Sequence, residues 1–230
     1  MSGALAALIE ACPQDHSRRW PVVEVTLRMP PPLDVEVPVT TTRTTATCEV
    51  AEARCVDSEL AFVEPVSASA ARAAEASYPG LVGHPFPSCF SCGTGRDEGD
   101  GLRIFPGKVT AGPDGSQRAA ATWTPHPSVA ENFHEYGDSV PRASLAVTWA
   151  ALDCVGGWAG DLTERLMVLG RITAQVDALP AIGEPHVLVG QRLGADGRKT
   201  MTAATLYDSD DRVVARVEHV WIAVDPKTFG

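Results

Sequence analysis

The residue of this sequence with the clearest chemical potential is Asp153, an acid inside the apolar run AALDCVGG that must leave water with little polar compensation nearby. A carboxylate so placed can orient and deprotonate water or attack an activated carbonyl directly. The competing reading is a side chain that only hydrogen-bonds backbone near a helix end. His219 comes second. Alternation along RVVARVEHVW puts Val213, Ala215, Val217, His219 and Trp221 on one strand face and Arg216 and Glu218 on the other. The imidazole then faces inward, either to position water beside the acid or to be satisfied in the core. Thr173 adds a hydroxyl on the strand after the acid, although threonine also simply fills strands.

Cys89 and Cys92 lie in HPFPSCFSCGTGRDEGDGLRIFPG (84–107) at CxxC spacing. Structural zinc takes four thiolate or imidazole donors, and no second pair accompanies this one; His84, His126 and His134 are the imidazoles available to complete a set. No metal ligand is therefore assigned, and no βαβ pattern surrounds the pair to suggest thioredoxin-like chemistry. The segment reads as a turn-rich loop with its thiols packed inside, long enough to serve as a lid or tunnel wall.

Composition narrows the field. The chain has 230 residues and a formal net charge of −10, so no general basic surface exists to neutralise phosphates, and nucleic acid is excluded as a partner. No apolar stretch reaches the roughly 18–20 residues needed to span a bilayer. Six scattered cysteines (12, 48, 55, 89, 92, 154) do not form a secreted disulfide framework, which predicts reduced thiols and a cytoplasmic protein. No GxGxxG follows a strand, and neither GxxxxGK[ST], GxSxG nor HExxH occurs, so no nucleotide cradle, serine elbow, zinc-protease helix or cofactor is expected.

These candidates need elements to hold them. GALAALIEA (3–11) predicts a short helix and VVEVTLRM (22–29) a strand, followed by a proline bend at 30–32. Strands are expected over 40–50 and 60–66 with a turn near Asp57-Ser58, and a linker helix over 67–78. In the second half, 117–124 predicts a strand and ASLAVTWAALDCV (143–155) a buried helix stopped at Gly156-Gly157. Strands at 169–176, 187–193, 200–207 and 213–224 follow, the last three joined by turns at 195–198 and 208–211. The order helix, strand, bend, strand, hairpin thus occurs twice, which points to an internal repeat. The divisions read as 1–66, a linker and insertion at 67–116, and 117–230.

A helix wrapped by antiparallel sheet, in two copies, resembles the double hotdog acyl-CoA thioesterases. SLAVTWAALDCVGGWA (144–159) is similar to that family's central helix, and GALAALIEA with RRWPVVEVTLRMPPPLD to the corresponding helix and first long strand of the other unit. The resemblance implies an α+β double hotdog with two antiparallel sheets, each around a central helix. The N-terminal unit is incomplete: the family carries a strand before its helix, and here Leu102 to Phe105 is the candidate replacement.

It further implies a thioester hydrolase with Asp153 as base or nucleophile, and His219 and Thr173 positioning water. Trp149, Gly156, Gly157 and Trp221 would contact substrate. The family more often has Gln where His219 stands. Acyl-CoA is the expected ligand, since an acidic carrier protein would be repelled, and Arg18, Arg19 and Arg43 are available for its phosphates. The alternatives are a non-catalytic acyl-CoA or lipid binder and, third, an enoyl thioester hydratase, whose Asp-x-x-x-x-His loop is missing. Fused units satisfy their own pairing, while exposed edges leave a homodimer open.

Overall fold

The computed structural model describes residues 1–9, 20–32, 34–131, 139–160 and 162–227. Helix α1 (Ser2–Ala7) leads into strands β1 (Val23–Leu27), β2 (Thr40–Thr41), β3 (Thr45–Thr47) and β4 (Ala51–Cys55). Helix α2 (Ala68–Glu75) and strands β5 (Gly107–Val109), β6 (Arg118–Trp123), β7 (Ala130–Glu131) and β8 (Arg142–Ala143) precede the long helix α3 (Leu145–Ala159). Strands β9 (Met167–Val176), β10 (His186–Asp196), β11 (Lys199–Tyr207) and β12 (Val213–Ala223) complete the chain.

Each long strand is drawn by the period-2 pattern that predicted it, and the β10–β11 hairpin turns at Gly197, whose φ of +55° suits a residue without Cβ. Helix α3 starts one cap later than expected: Ser144 Oγ accepts from the Val147 amide at 3.1 Å. It also runs through Gly156-Gly157 rather than stopping there. A Cβ on Gly156 would fall 2.5 Å from His219 Nδ1, so the glycines serve close approach to the sheet, which outweighs their poor helix propensity.

The strands form one ten-stranded antiparallel sheet in the order β2-β3-β4-β1-β9-β12-β11-β10-β6-β5, with β7 and β8 a separate pair. This departs from the expected two sheets. The halves join through β1 and β9, with Val25 opposite Ile172, because edges carrying unpaired amides and carbonyls are satisfied by pairing with each other. The order nevertheless repeats: β1-β4-β3-β2 on one side of the seam answers β9-β12-β11-β10 on the other. Helices α1 and α3 lie over different halves but on the same face of the sheet, where they pack together, and Leu5, Ala6 and Ile9 share one core with Trp149, Leu152, Val155, Val25 and Ile172. Beyond β10 the sheet continues into β6 and β5; beyond β2 no described strand follows.

Two expected strands are absent. Residues 60–66 run extended across the sheet's other face, held by side chains rather than by a ladder: Val63 donates its amide to Thr205 Oγ1 at 3.1 Å and accepts from the Tyr207 hydroxyl, and Ala61 donates to Glu218. With α2 they bury Val63 and Ala71 against Ala120, Val187, Val189 and Ala203, which is why β6 and β10 read as apolar on both faces. Leu102 to Phe105 is not a strand either. The strand the insertion supplies is β5, and it extends the C-terminal edge beside β6 instead of repairing the N-terminal half.

Candidate functional site

Helix α3 presents a half-buried stripe of Ala146, Val147, Ala150, Asp153 and Cys154, the residues that i, i+3 and i+4 spacing brings to one side. At its start the stripe meets α1, where a Cβ on Gly3 would lie 2.5 Å from the Ala146 carbonyl oxygen and 2.6 Å from Trp149 Cβ. At its end Cys154 meets Cys89 of the inserted loop. Asp153 lies between these contacts. Among the described residues its carboxylate has no hydrogen-bond partner, and its pKa is raised to about 7, first by burial and then by the negative charge at Cys89.

His219 faces inward, as alternation predicts, but onto a different flank of α3. Its ring is buried, with Nε2 3.1 Å from the Leu152 carbonyl and Nδ1 3.1 Å from Thr202 Oγ1. A carbonyl only accepts, so Nε2 carries the proton and Nδ1 accepts from the threonine hydroxyl. Thr202 in turn accepts the Trp221 indole N–H at 3.0 Å. Every polar atom of this trio is spent on another, and burial pushes the imidazole down to about 4, so it stays neutral. The geometry makes His219 a fastener between sheet and helix.

The residues expected at substrate are packed in the same way. Trp149 is buried over Gly3, Gly156 lies against His219 and Thr202, and a Cβ on Gly157 would sit 2.9 Å from Leu162 and 3.0 Å from Trp221. Trp221 itself is buried. Thr173 is on the sheet's far face, since its neighbours Ile172 and Ala174 fill the core; it lines a groove with Glu24, Arg171 and Glu218. The structure thus brings His219, Gly156 and Trp221 together, leaves Asp153 on the adjoining stripe, and puts Thr173 across the sheet. Arg43 is exposed on the β2–β3 turn; Arg18, Arg19 and His134 lie outside the described residues.

Sequence reasoning missed what gathers around Cys154. Cys89 Sγ is 3.6 Å from Cys154 Sγ and 3.7 Å from Cys92 Sγ, and all three sulfurs lie within 4.8 Å of one another. His84 Nε2 is 3.4 Å from Cys92 Sγ and 3.1 Å from the Cys92 carbonyl. Trp158 donates its indole N–H to Cys92 Sγ at 3.4 Å, and the Tyr78 hydroxyl donates to the Cys92 carbonyl at 2.9 Å. Hydrogen bonds from the Cys154 and Cys92 thiols hold Cys89 below the usual thiol range, and the same contacts with burial push Cys154 up. The signal in the sequence was Cys154 beside Asp153; 62 positions separate it from Cys92, and no spacing rule spans them.

No protein-family model matches the chain, and no curated protein does. Solved structures similar to it include a thioesterase superfamily protein at 21% identity and TM-score 0.40, matched over 52% of this chain and 53% of that one, so the chain spans about half its length. The E. coli PaaI protein from the phenylacetic acid degradation operon is 12% identical with TM-score 0.42, over 52% of this chain and 82% of that chain. A Streptococcus mutans UA159 protein bound to acetyl CoA is likewise 12% identical with TM-score 0.42, over 52% and 88%. The large antiparallel sheet with few helices fits the hotdog fold. Among the described residues no helix is long and apolar enough to cross a membrane.

Proposed function

We propose that the chain is a double hotdog protein that hydrolyses a coenzyme A-linked acyl thioester, with Asp153 as the group that attacks the carbonyl or activates water. The observation that carries this reading is the placement of an acid without a described hydrogen-bond partner on the half-buried stripe of α3, between α1 of the other repeat and the inserted loop. An acyl chain can lie along the apolar side chains of that stripe while the carboxylate meets the thioester. The net charge of −10 favours a small thioester over an acidic carrier protein. In this reading His219, Gly156, Gly157, Trp149 and Trp221 shape the helix that holds the acid, and Thr173 takes no part.

One observation favours a second reading, a non-catalytic acyl-ligand binder: His219, the residue expected to position water, has both ring nitrogens engaged. Turnover of short, medium and long acyl-CoA, followed through thiol release, separates the two. Hydrolysis that falls by about 10²-fold or more in Asp153→Asn supports the proposal. Binding of acyl-CoA by the wild type with no release of thiol establishes the binder instead. Loss of enoyl absorbance without thiol release would make the chain a hydratase.

A further inference from the structure

We propose that the thiolates of Cys89, Cys92 and Cys154 hold one zinc ion, with the His84 imidazole as its fourth ligand. Tetrahedral zinc with bonds of about 2.3 Å to sulfur and 2.0–2.1 Å to nitrogen sets its sulfurs about 3.8 Å apart and a sulfur and nitrogen about 3.6 Å apart. The observed separations are 3.6 and 3.7 Å between sulfurs, and His84 Nε2 is 3.4 Å from Cys92 Sγ but outside the 4.8 Å that gathers the three sulfurs, so the imidazole has to swing inward to complete the tetrahedron. These sulfurs are too far apart to be bonded, disulfides measuring about 2.05 Å, and three thiols cannot all pair. One ion satisfies all three at once.

The surroundings are those of a ligand set. Residues 87–95 form a tight knuckle in which Gly93 donates its amide to the Cys89 carbonyl at 2.9 Å and Gly95 donates to the Pro87 carbonyl at 2.9 Å. A Cβ on Gly93 would fall 2.5 Å from the Cys89 oxygen, so only glycine lets the chain turn back and aim both sulfurs inward. The Trp158 N–H on Cys92 Sγ is the kind of outer hydrogen bond that fixes a ligating thiolate. Tyr78 stacks on Phe105 at 5.3 Å and meets Trp158 edge-on at 4.7 Å, closing an apolar shell around the cluster. Cys154 comes from α3, so the ion would pin the loop to the helix that carries Asp153. From Val82 to Pro106 the chain has no helix or ladder strand of its own, and a segment that long in a compact fold needs an anchor.

His84 must give up two contacts to join: ligation through Nε2 removes the proton that nitrogen offers the Cys92 carbonyl at 3.1 Å. The Phe86 amide donates to its Nδ1 at 2.9 Å, and a metal on Nε2 leaves the ring proton on Nδ1, so the Phe86 N–H has to turn away.

The inference stands apart from thioester hydrolysis and is tested without it. Protein purified under reducing conditions is expected to carry about one zinc per chain. Replacing it with cobalt(II) should give thiolate-to-cobalt charge-transfer absorption and the intense visible bands of tetrahedral coordination. Cys154→Ala should lose the metal, whereas Cys48→Ala, at a cysteine remote from the cluster, should keep it. If Cys154→Ala does not fold, thiol titration of the wild type before and after chelation gives the same answer: three cysteines become reactive only once the metal is removed. Reduced protein without zinc that also yields no cobalt–thiolate absorption overturns the site, as does a disulfide between any two of the three in the protein as isolated. A His84→Ala variant with unchanged cobalt spectrum overturns the assignment of the fourth ligand.

Discussion

The two repeats share one strand order and differ in how each holds its helix. In the C-terminal repeat, α3 spans 15 residues over strands of 9 to 11, and a polar trio buried at its flank ties Leu152 to Thr202 and Trp221 through His219. In the N-terminal repeat, α1 has 6 residues, its strands have 2 to 5, and its buried contacts are Leu5, Ala6 and Ile9 against Val25, Ala46 and Ala53. A short helix on short strands needs only apolar burial, which is non-directional and tolerates a shift. A long helix has many registers available, and hydrogen bonds of fixed geometry select one. The difference teaches that the polar trio fixes the helix that carries Asp153, while α1 only packs against the start of that helix.

Equivalent insults to the two helices should therefore have unequal effects. Gly156→Ala drives a Cβ into Thr202 and His219 and is expected to destabilise by about 3 kcal/mol, whereas Gly3→Ala, pressing on Ala146 and Trp149, lets the short helix move and costs about 1 kcal/mol. Urea unfolding of both variants checks this, and equal losses would break the comparison.

Acid should act through the same trio. The groups touching the His219 ring are Thr202, the Leu152 carbonyl, Gly156 and Trp221, none of them charged. Its folded pKa of about 4 lies below the ordinary histidine value, so the unfolded chain takes up the proton first. The stability is intact above about pH 6.5 and is lost as pH falls from there towards 4, by up to about 3 kcal/mol. Unfolding at pH 7, 5.5 and 4 should show this slope in the wild type and not in His219→Gln.

A smaller loss, about 2 kcal/mol, is expected for Thr202→Val, which deprives the buried Trp221 N–H of its acceptor and His219 Nδ1 of its donor. The companion substitution Thr47→Val, at an exposed site in the N-terminal repeat, should change stability by less than about 0.5 kcal/mol. Thermal unfolding of the pair sharpens the contrast between a directional and an apolar attachment.

Local pattern was enough for the long elements. Alternation placed His219 and Trp221 inward, and the apolar run around Leu152 marked α3. It failed wherever a partner distant in sequence decided the outcome. Residues 60–66 have strand composition but are held by Thr205, Tyr207 and Glu218, and Gly156-Gly157 has stop-signal composition but lies where the helix touches the sheet.

What the sequence by itself determined is therefore periodic and local: which faces are apolar, where hairpins turn, and that an acid sits in a helix with almost no polar neighbours. Only the tertiary structure decided that β1 and β9 close the halves into one sheet, that His219 is fully bonded, and that Cys154 meets Cys89 and Cys92. Burial and hydrogen bonding depend on which surfaces meet, and residues 62 positions apart along the chain become neighbours only when packing brings them within a few ångströms.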